Sequence, residues 1–192
     1  FWDEACASAL SDANLLAAMA RFESALAQSS CRAGLVPEAH AATIARVCER
    51  AAFDAAALAS AARRAGTLAI PFLKQLTDQV AAVSPEAARY LHFGATSQDV
   101  IDTAAVLCLA PASGRVQALS GRLGDAAAAL VRRHQRTPMA ARTLLQPAVP
   151  VPFGWKAAVW LSMVARSHRQ FREAAREACV LQFGGAGGTL SA

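Results

Sequence analysis

Residues with the chemistry of an anion site crowd into one short run of this chain, HFGATSQD, which holds His92, Thr96, Ser97, Gln98 and Asp99. Thr96 and Asp99 have the spacing of a capping box, with Asp in place of the usual Glu or Gln. The run therefore predicts a loop entering the N-terminus of a helix. Such a terminus offers unpaired N–H groups and a partial positive charge, which suit a carboxylate or phosphate. Thr96 and Ser97 add hydroxyl donors, Gly94 lets a ligand approach the backbone, and His92 can hydrogen-bond a carboxylate. A plain helix cap beside a structural histidine fits the same spacing. A second group is Arg142, Thr143, Leu144, Leu145 and Gln146. Arg142 can clamp a carboxylate through two parallel N–H bonds, and Gln146 can donate or accept; a polar surface loop has the same composition. Lys156 is a third cation, with a solvated lysine as the alternative. The third group is the glycine-rich segment at 184–188, followed by Thr189. Its amides could surround an anion, and a frayed terminus would look the same.

The elements that must position these groups read as helices. Leu15, Met19, Phe22 and Leu26 form one helical stripe, which predicts a helix over 12–32. Gly34 and Pro37 punctuate, and Pro37 suits the opening of the next helix. Further helices are predicted over 51–64, ending at Gly66, and over 71–83. Ser84, Pro85 and Glu86 read as an N-cap with Pro at the first helical position. A long helix follows from Asp99 to Arg133, with Pro111 and Gly114 expected to kink or interrupt it. The proline-rich stretch 137–152 predicts an irregular excursion. A second long helix is expected over 153–179, with Leu161, Val164, His168 and Phe171 on one face; His168 reads as a packed core residue. His40 and His134 have no partner pattern.

Composition supports an all-α fold. The chain has 192 residues, and about a quarter are alanine, the best helix former. The formal net charge is +5, carried almost wholly by arginines spread along the sequence, which argues against a nucleic-acid stripe. No apolar run is long enough to span a membrane. The five cysteines have no metal-ligand or redox-motif spacing and read as small buried hydrophobes in a reducing cytoplasm. No P-loop, dinucleotide fingerprint, zinc pattern or nucleophile elbow is present.

Several of these segments together resemble one family. The run HFGATSQDVIDTA, His92 to Ala104, is similar to the first signature of the 3-carboxy-cis,cis-muconate cycloisomerase branch of the fumarase/aspartase superfamily. Leu68 to Pro71 looks like an earlier active-site segment of that branch. Thr137 to Met139, Arg142, Thr143, Gln146 and Phe153 to Lys156 match a second signature. Leu181 to Ala186, then Gly187, Thr189 and Leu190, match the stretch after the second long helix. Two positions depart: Leu144 stands where related lyases have His and the cycloisomerases usually Trp, and Thr67 where they usually have Asn.

The resemblance implies a helical N-terminal domain, residues 1–95, followed by part of an elongated long-helix bundle, 96–192. It implies that the chain is an N-terminal part, ending at Ala192 before the family's mobile serine loop and inactive alone. The implied reaction closes a carboxylate of 3-carboxy-cis,cis-muconate onto a double bond to give a muconolactone, in protocatechuate degradation by the β-ketoadipate pathway. The implied catalytic residues are His92, Ser97 and Arg142. Thr96, Ser97, Gln98, Thr143, Gln146 and Lys156 would bind substrate. No metal or organic cofactor is implied. The implied partners are a small tricarboxylate and three further copies in a cytoplasmic homotetramer with shared active sites, with no nucleic acid and no membrane. Alternatives are another lyase of the superfamily, of the adenylosuccinate-lyase kind, or an inactive helical assembly fragment.

Overall fold

The computed structural model describes residues 2–190; the expected end at Ala192 lies outside the described residues. Eight helices and one hairpin follow in order among them: α1 (Glu4–Ala9), α2 (Asp12–Arg32), α3 (Glu38–Arg50), α4 (Ala55–Ala65), α5 (Ala69–Ala81), α6 (Pro85–Ala88), α7 (Ser97–Arg133), β1 (Pro138–Thr143), β2 (Gln146–Pro152) and α8 (Phe153–Ala178). No described helix is long and apolar enough to cross a membrane.

Local chemistry accounts for most boundaries. Ser11 caps α2 by accepting from Asn14 N–H, Asp54 caps α4 through Ala57 N–H, and Ser84 caps α6 with Pro85 at its start. Gly66 ends α4 with φ 76°, the left-handed conformation that favours glycine. The helix expected over 51–64 begins later, at Ala55, because the Asp54 cap rather than the first alanines nucleates it.

The chain divides into two compact units. One comprises residues 1–112 and 179–192, the other 113–178. The division falls inside α7. In the first unit α2 packs on α3, and α5 on α4 and α6. Met19, Ile44, Phe72, Leu76 and Val80 are fully buried there, and Val100, Ala104 and Cys108 of α7 join the same core. Burial of such side chains is worth about 1.5–3 kcal/mol each.

Helix α7 runs unbroken through Pro111 and Gly114 to Arg133. The expected interruption does not occur. Proline deletes one intrahelical bond, and the strong helix formers Leu107, Leu109, Ala110 and Ala112 flank it on both sides. The stretch 137–152, expected to be irregular, is an antiparallel hairpin. A two-stranded ribbon leaves each strand an open edge, where proline's missing N–H removes no ladder bond. The fold is otherwise all-helical.

Candidate active site

In the first unit, residues 91–94 turn into α7, and His92 takes φ 60°. This backbone region is uncommon for residues other than glycine, although histidine is among those enriched in it. The turn brings His92 Nδ1 to 2.7 Å from Glu23 Oε1 on α2. Glu23 is only 1 % exposed.

Asp99 organises the start of α7. Its buried carboxylate accepts three backbone N–H bonds: Oδ2 from Thr96 at 2.9 Å and Gly185 at 3.0 Å, and Oδ1 from Gly184 at 2.9 Å. Burial pushes this carboxyl up, but the three amides, with the Gln182 side chain, outweigh it and hold it below the usual carboxylate range. One turn further on, the Thr103 hydroxyl donates to the Gln182 carbonyl at 3.0 Å, and its oxygen lies 3.1 Å from the Gln182 N–H. The glycine-rich segment therefore does place amides around an anion, and that anion is the chain's own Asp99.

The capping box is only half formed. Asp99 receives the Thr96 N–H, while the Thr96 hydroxyl has no partner among the described residues. The half-buried Ser97 hydroxyl likewise has no partner among the described residues. Both hydroxyls are thus available at a helix N-terminus. Gln98 is exposed, and its amide donates to Asp102 at 2.6 Å.

In the second unit, Thr143 pairs with Gln146 across a two-residue turn made by Leu144 and Leu145. Arg142, Thr143 and Gln146 are all exposed. Arg142 and Lys156 line one open groove of about 400 Å³, together with Met139, Trp155 and Trp160. Lys156 Nζ lies 5.8 Å from the Trp160 ring centroid, a cation–π distance. Two cations beside an apolar floor suit a carboxylate-bearing ligand with a hydrophobic body. His168, expected in a packed core, is half-buried and hydrogen-bonded to Ser120 Oγ at 2.7 Å.

Thus His92, Thr96 and Ser97 belong to one compact unit, and Arg142, Thr143, Gln146 and Lys156 to the other. Among the described residues no group of three or more His, Cys, Asp or Glu could hold a metal ion. The buried Cys48 thiol is pushed up to about 12 by burial and by the Glu23 carboxylate, so it stays a neutral thiol and is no nucleophile. Glu23 escaped the sequence reading. It lies four residues after Met19 and three before Leu26, a charge on a buried helical stripe, and that mismatch was its signal.

The model of the lyase family matches residues 1–192. The chain belongs to the lyase family. This lyase chain is 49 % identical over 185 residues to the 3-carboxy-cis,cis-muconate cycloisomerase of Bradyrhizobium diazoefficiens, covering 96 % of the chain and 41 % of the relative. It is 44 % identical over 185 residues to the nitrosuccinate lyase of Streptomyces davaonensis, covering 96 % and 39 %. Among solved structures, the 3-carboxy-cis,cis-muconate lactonizing enzyme from Pseudomonas putida matches with a TM-score of 0.94 at 41 % identity, covering 100 % of the chain and 43 % of that structure. The lyase chain thus spans about two-fifths of the length of these relatives. Its helical fold is the fumarase/aspartase-like fold of its structural neighbours.

Proposed function

We propose that the protein to which this lyase chain belongs is a cytoplasmic 3-carboxy-cis,cis-muconate cycloisomerase of protocatechuate degradation in the β-ketoadipate pathway. The observation that carries this reading is the 49 % identity to a cycloisomerase across 96 % of the chain. The site chemistry supports it. A carboxylate oxygen of the substrate adds to a double bond, and the π electrons move toward a second carboxylate, giving an aci-acid-like intermediate. Protonation at carbon completes the muconolactone. Such a step needs fixed donors on the carboxylate that gains charge, and one proton carrier.

Thr96 and Ser97, with open hydroxyls at the start of α7, are suited to hold that carboxylate, with Gln98 at the margin. Arg142 and Lys156 supply cationic donors, and Thr143 and Gln146 neutral ones. His92 handles the ligand or its proton. The active assembly is a homotetramer in which the His92 cluster of one subunit meets the hairpin of another. No metal or organic cofactor takes part.

The test uses the full-length protein and follows ultraviolet absorbance of 3-carboxy-cis,cis-muconate, with nitrosuccinate as the competing substrate. Conversion of the muconate to a lactone is expected. Turnover of nitrosuccinate alone would move the protein to the other lyase reading, and turnover of neither would support a purely structural role. The 192-residue chain by itself is expected to be inactive in the same assay.

A further inference from the structure

We propose that Glu23 is a positioning residue that keeps the His92 ring protonated at Nδ1 and so reserves Nε2 for the ligand; this rests on the placement of His92 in the substrate site. Nδ1 lies 2.7 Å from Glu23 Oε1, and Nε2 has no partner among the described residues. An ionised carboxylate only accepts hydrogen bonds, so the contact needs a proton on Nδ1. The His92 side chain is 18 % exposed while that of Glu23 is 0 % exposed, so the histidine is the accessible member of the pair.

Two features of the pair are costly unless the contact serves a purpose. Glu23 sits on α2 beside Met19, Phe22 and Ala27 in the apolar core, and its second oxygen, Oε2, is buried with no partner. A buried carboxylate with so few hydrogen bonds is worse for stability than an apolar side chain of similar volume. His92 in turn holds a left-handed backbone, a conformation retained only where the surroundings dictate it. Both costs converge on one hydrogen bond. What that bond supplies is a fixed ring orientation and a fixed tautomer, the property that decides which nitrogen meets a ligand. With Nδ1–H committed to Glu23, Nε2 carries the lone pair. It can accept a hydrogen bond or a proton from a ligand, and the neighbouring carboxylate offsets the charge that results.

Long-range ¹H–¹⁵N correlation spectra of the 192-residue chain, labelled at histidine and assigned with a His92→Gln variant, read the tautomer directly. The neutral ring is expected to carry its proton on Nδ1. A proton on Nε2 in the unsubstituted chain, as when a protonated Glu23 donates to a bare Nδ1, would overturn the proposal. In Glu23→Leu the Nδ1–H share should fall severalfold, and an unchanged tautomer in folded Glu23→Leu would also overturn it. Should that variant not fold, Glu23→Gln, which keeps the shape, should show a weaker shift in the same direction, and no shift would count against the proposal. In the full-length enzyme Glu23→Gln should lower kcat on the order of tenfold or more while KM stays nearly constant, the pattern of lost orientation at the reacting step. The expected tautomer with an unchanged kcat in Glu23→Gln would overturn the positioning role of Glu23 in the reaction, while the Glu23–His92 arrangement itself would stand.

Discussion

The two compact units solve the problem of apolar side chains differently. In the first, the large apolar residues of α2, α3 and α5 close on one another, and Phe72, Met19, Ile44 and Leu76 are sealed from water. In the second, α8 and the hairpin leave Trp155, Met163, Leu144 and Leu145 open to solvent, with Leu144 and Leu145 about nine-tenths exposed. The first unit carries its own core. The second has apolar surface to spare, and in the proposed homotetramer that surface would lie against other copies. The candidate site residues follow the same division. In the first unit His92 and the Thr96 amide are tied to the buried carboxylates of Glu23 and Asp99, and the candidates of the second stand on a ribbon and a helix with few internal ties.

The contrast can be broken most directly at Asp99. Asp99→Ala would strip three backbone N–H groups of their acceptor: that of Gly185 is buried, worth about 1–3 kcal/mol when left unpaired, and those of Thr96 and Gly184 are part-buried and cost less. Chemical denaturation of the chain should therefore show a loss of about 2–3 kcal/mol, with the segment 181–185 exchanging its amide hydrogens first. A loss under about 1 kcal/mol would mean that the glycine-rich segment holds its place without the carboxylate.

Arg142→Ala should do the reverse. The side chain is exposed and makes no internal hydrogen bond among the described residues, so stability should hold. Activity of the full-length enzyme should fall by roughly 10²–10³-fold, as when one donor to a developing negative charge is removed. Melting temperature and kcat/KM measured on the same preparation would separate the two effects; unchanged kcat/KM would take Arg142 out of the proposed mechanism.

A smaller effect follows from protonation. The Asp99 carboxyl is held below its ordinary value in the folded chain. The stability it contributes is therefore fully present above the unfolded carboxylate value of about 3.9. It is lost as pH falls through the lowered folded value. Denaturant midpoints from pH 7 down to pH 2 should show an acid-side fall that Asp99→Asn reduces.

The smallest expected change lies at the hairpin tip. Leu145 has φ 58°, a region that costs a residue with a Cβ roughly 1–2 kcal/mol and glycine almost nothing. Leu145→Gly should raise stability by about 0.5 kcal/mol after glycine's greater unfolded-state entropy is counted. A drop in melting temperature would show that the Leu145 side chain makes a contact that matters.

What the sequence revealed and what it hid have physical reasons. Helix α2 was legible because its apolar stripe and the punctuation at Gly34 and Pro37 are local signals. The same is true of Pro85 at the start of α6, and the capping-box spacing of Thr96 and Asp99 marked the entry to α7, which begins at Ser97, two residues before the expected Asp99. The hairpin was not legible, because proline in a ribbon with open edges mimics irregular chain. Thr96, Ser97 and His92 stood out through their spacing and the family resemblance. The bonds from Asp99 to Gly184 and Gly185 join residues more than eighty positions apart, and no periodic pattern encodes such a tie. Glu23 was hidden for the same reason: its partner His92 is 69 residues away.

The base of the hairpin has a consequence for how this scaffold can change. The His134 carbonyl accepts from Gly154 N–H at 2.9 Å and from Thr137 N–H at 3.3 Å, while the Thr137 carbonyl accepts from Phe153 N–H at 2.8 Å. The end of α7, the entry to the ribbon and the start of α8 are thus knotted at one point, and a Cβ on Gly154 would come within 2.7 Å of the His134 oxygen. Because the closure is made at the root, adding or exchanging residues near Leu144 lengthens a loop whose ends are already fixed, at a free-energy cost that grows only slowly with length. Diversification at the tip is thereby uncoupled from the integrity of the helices, so the sequence near Leu144 can vary while Gly154 stays fixed.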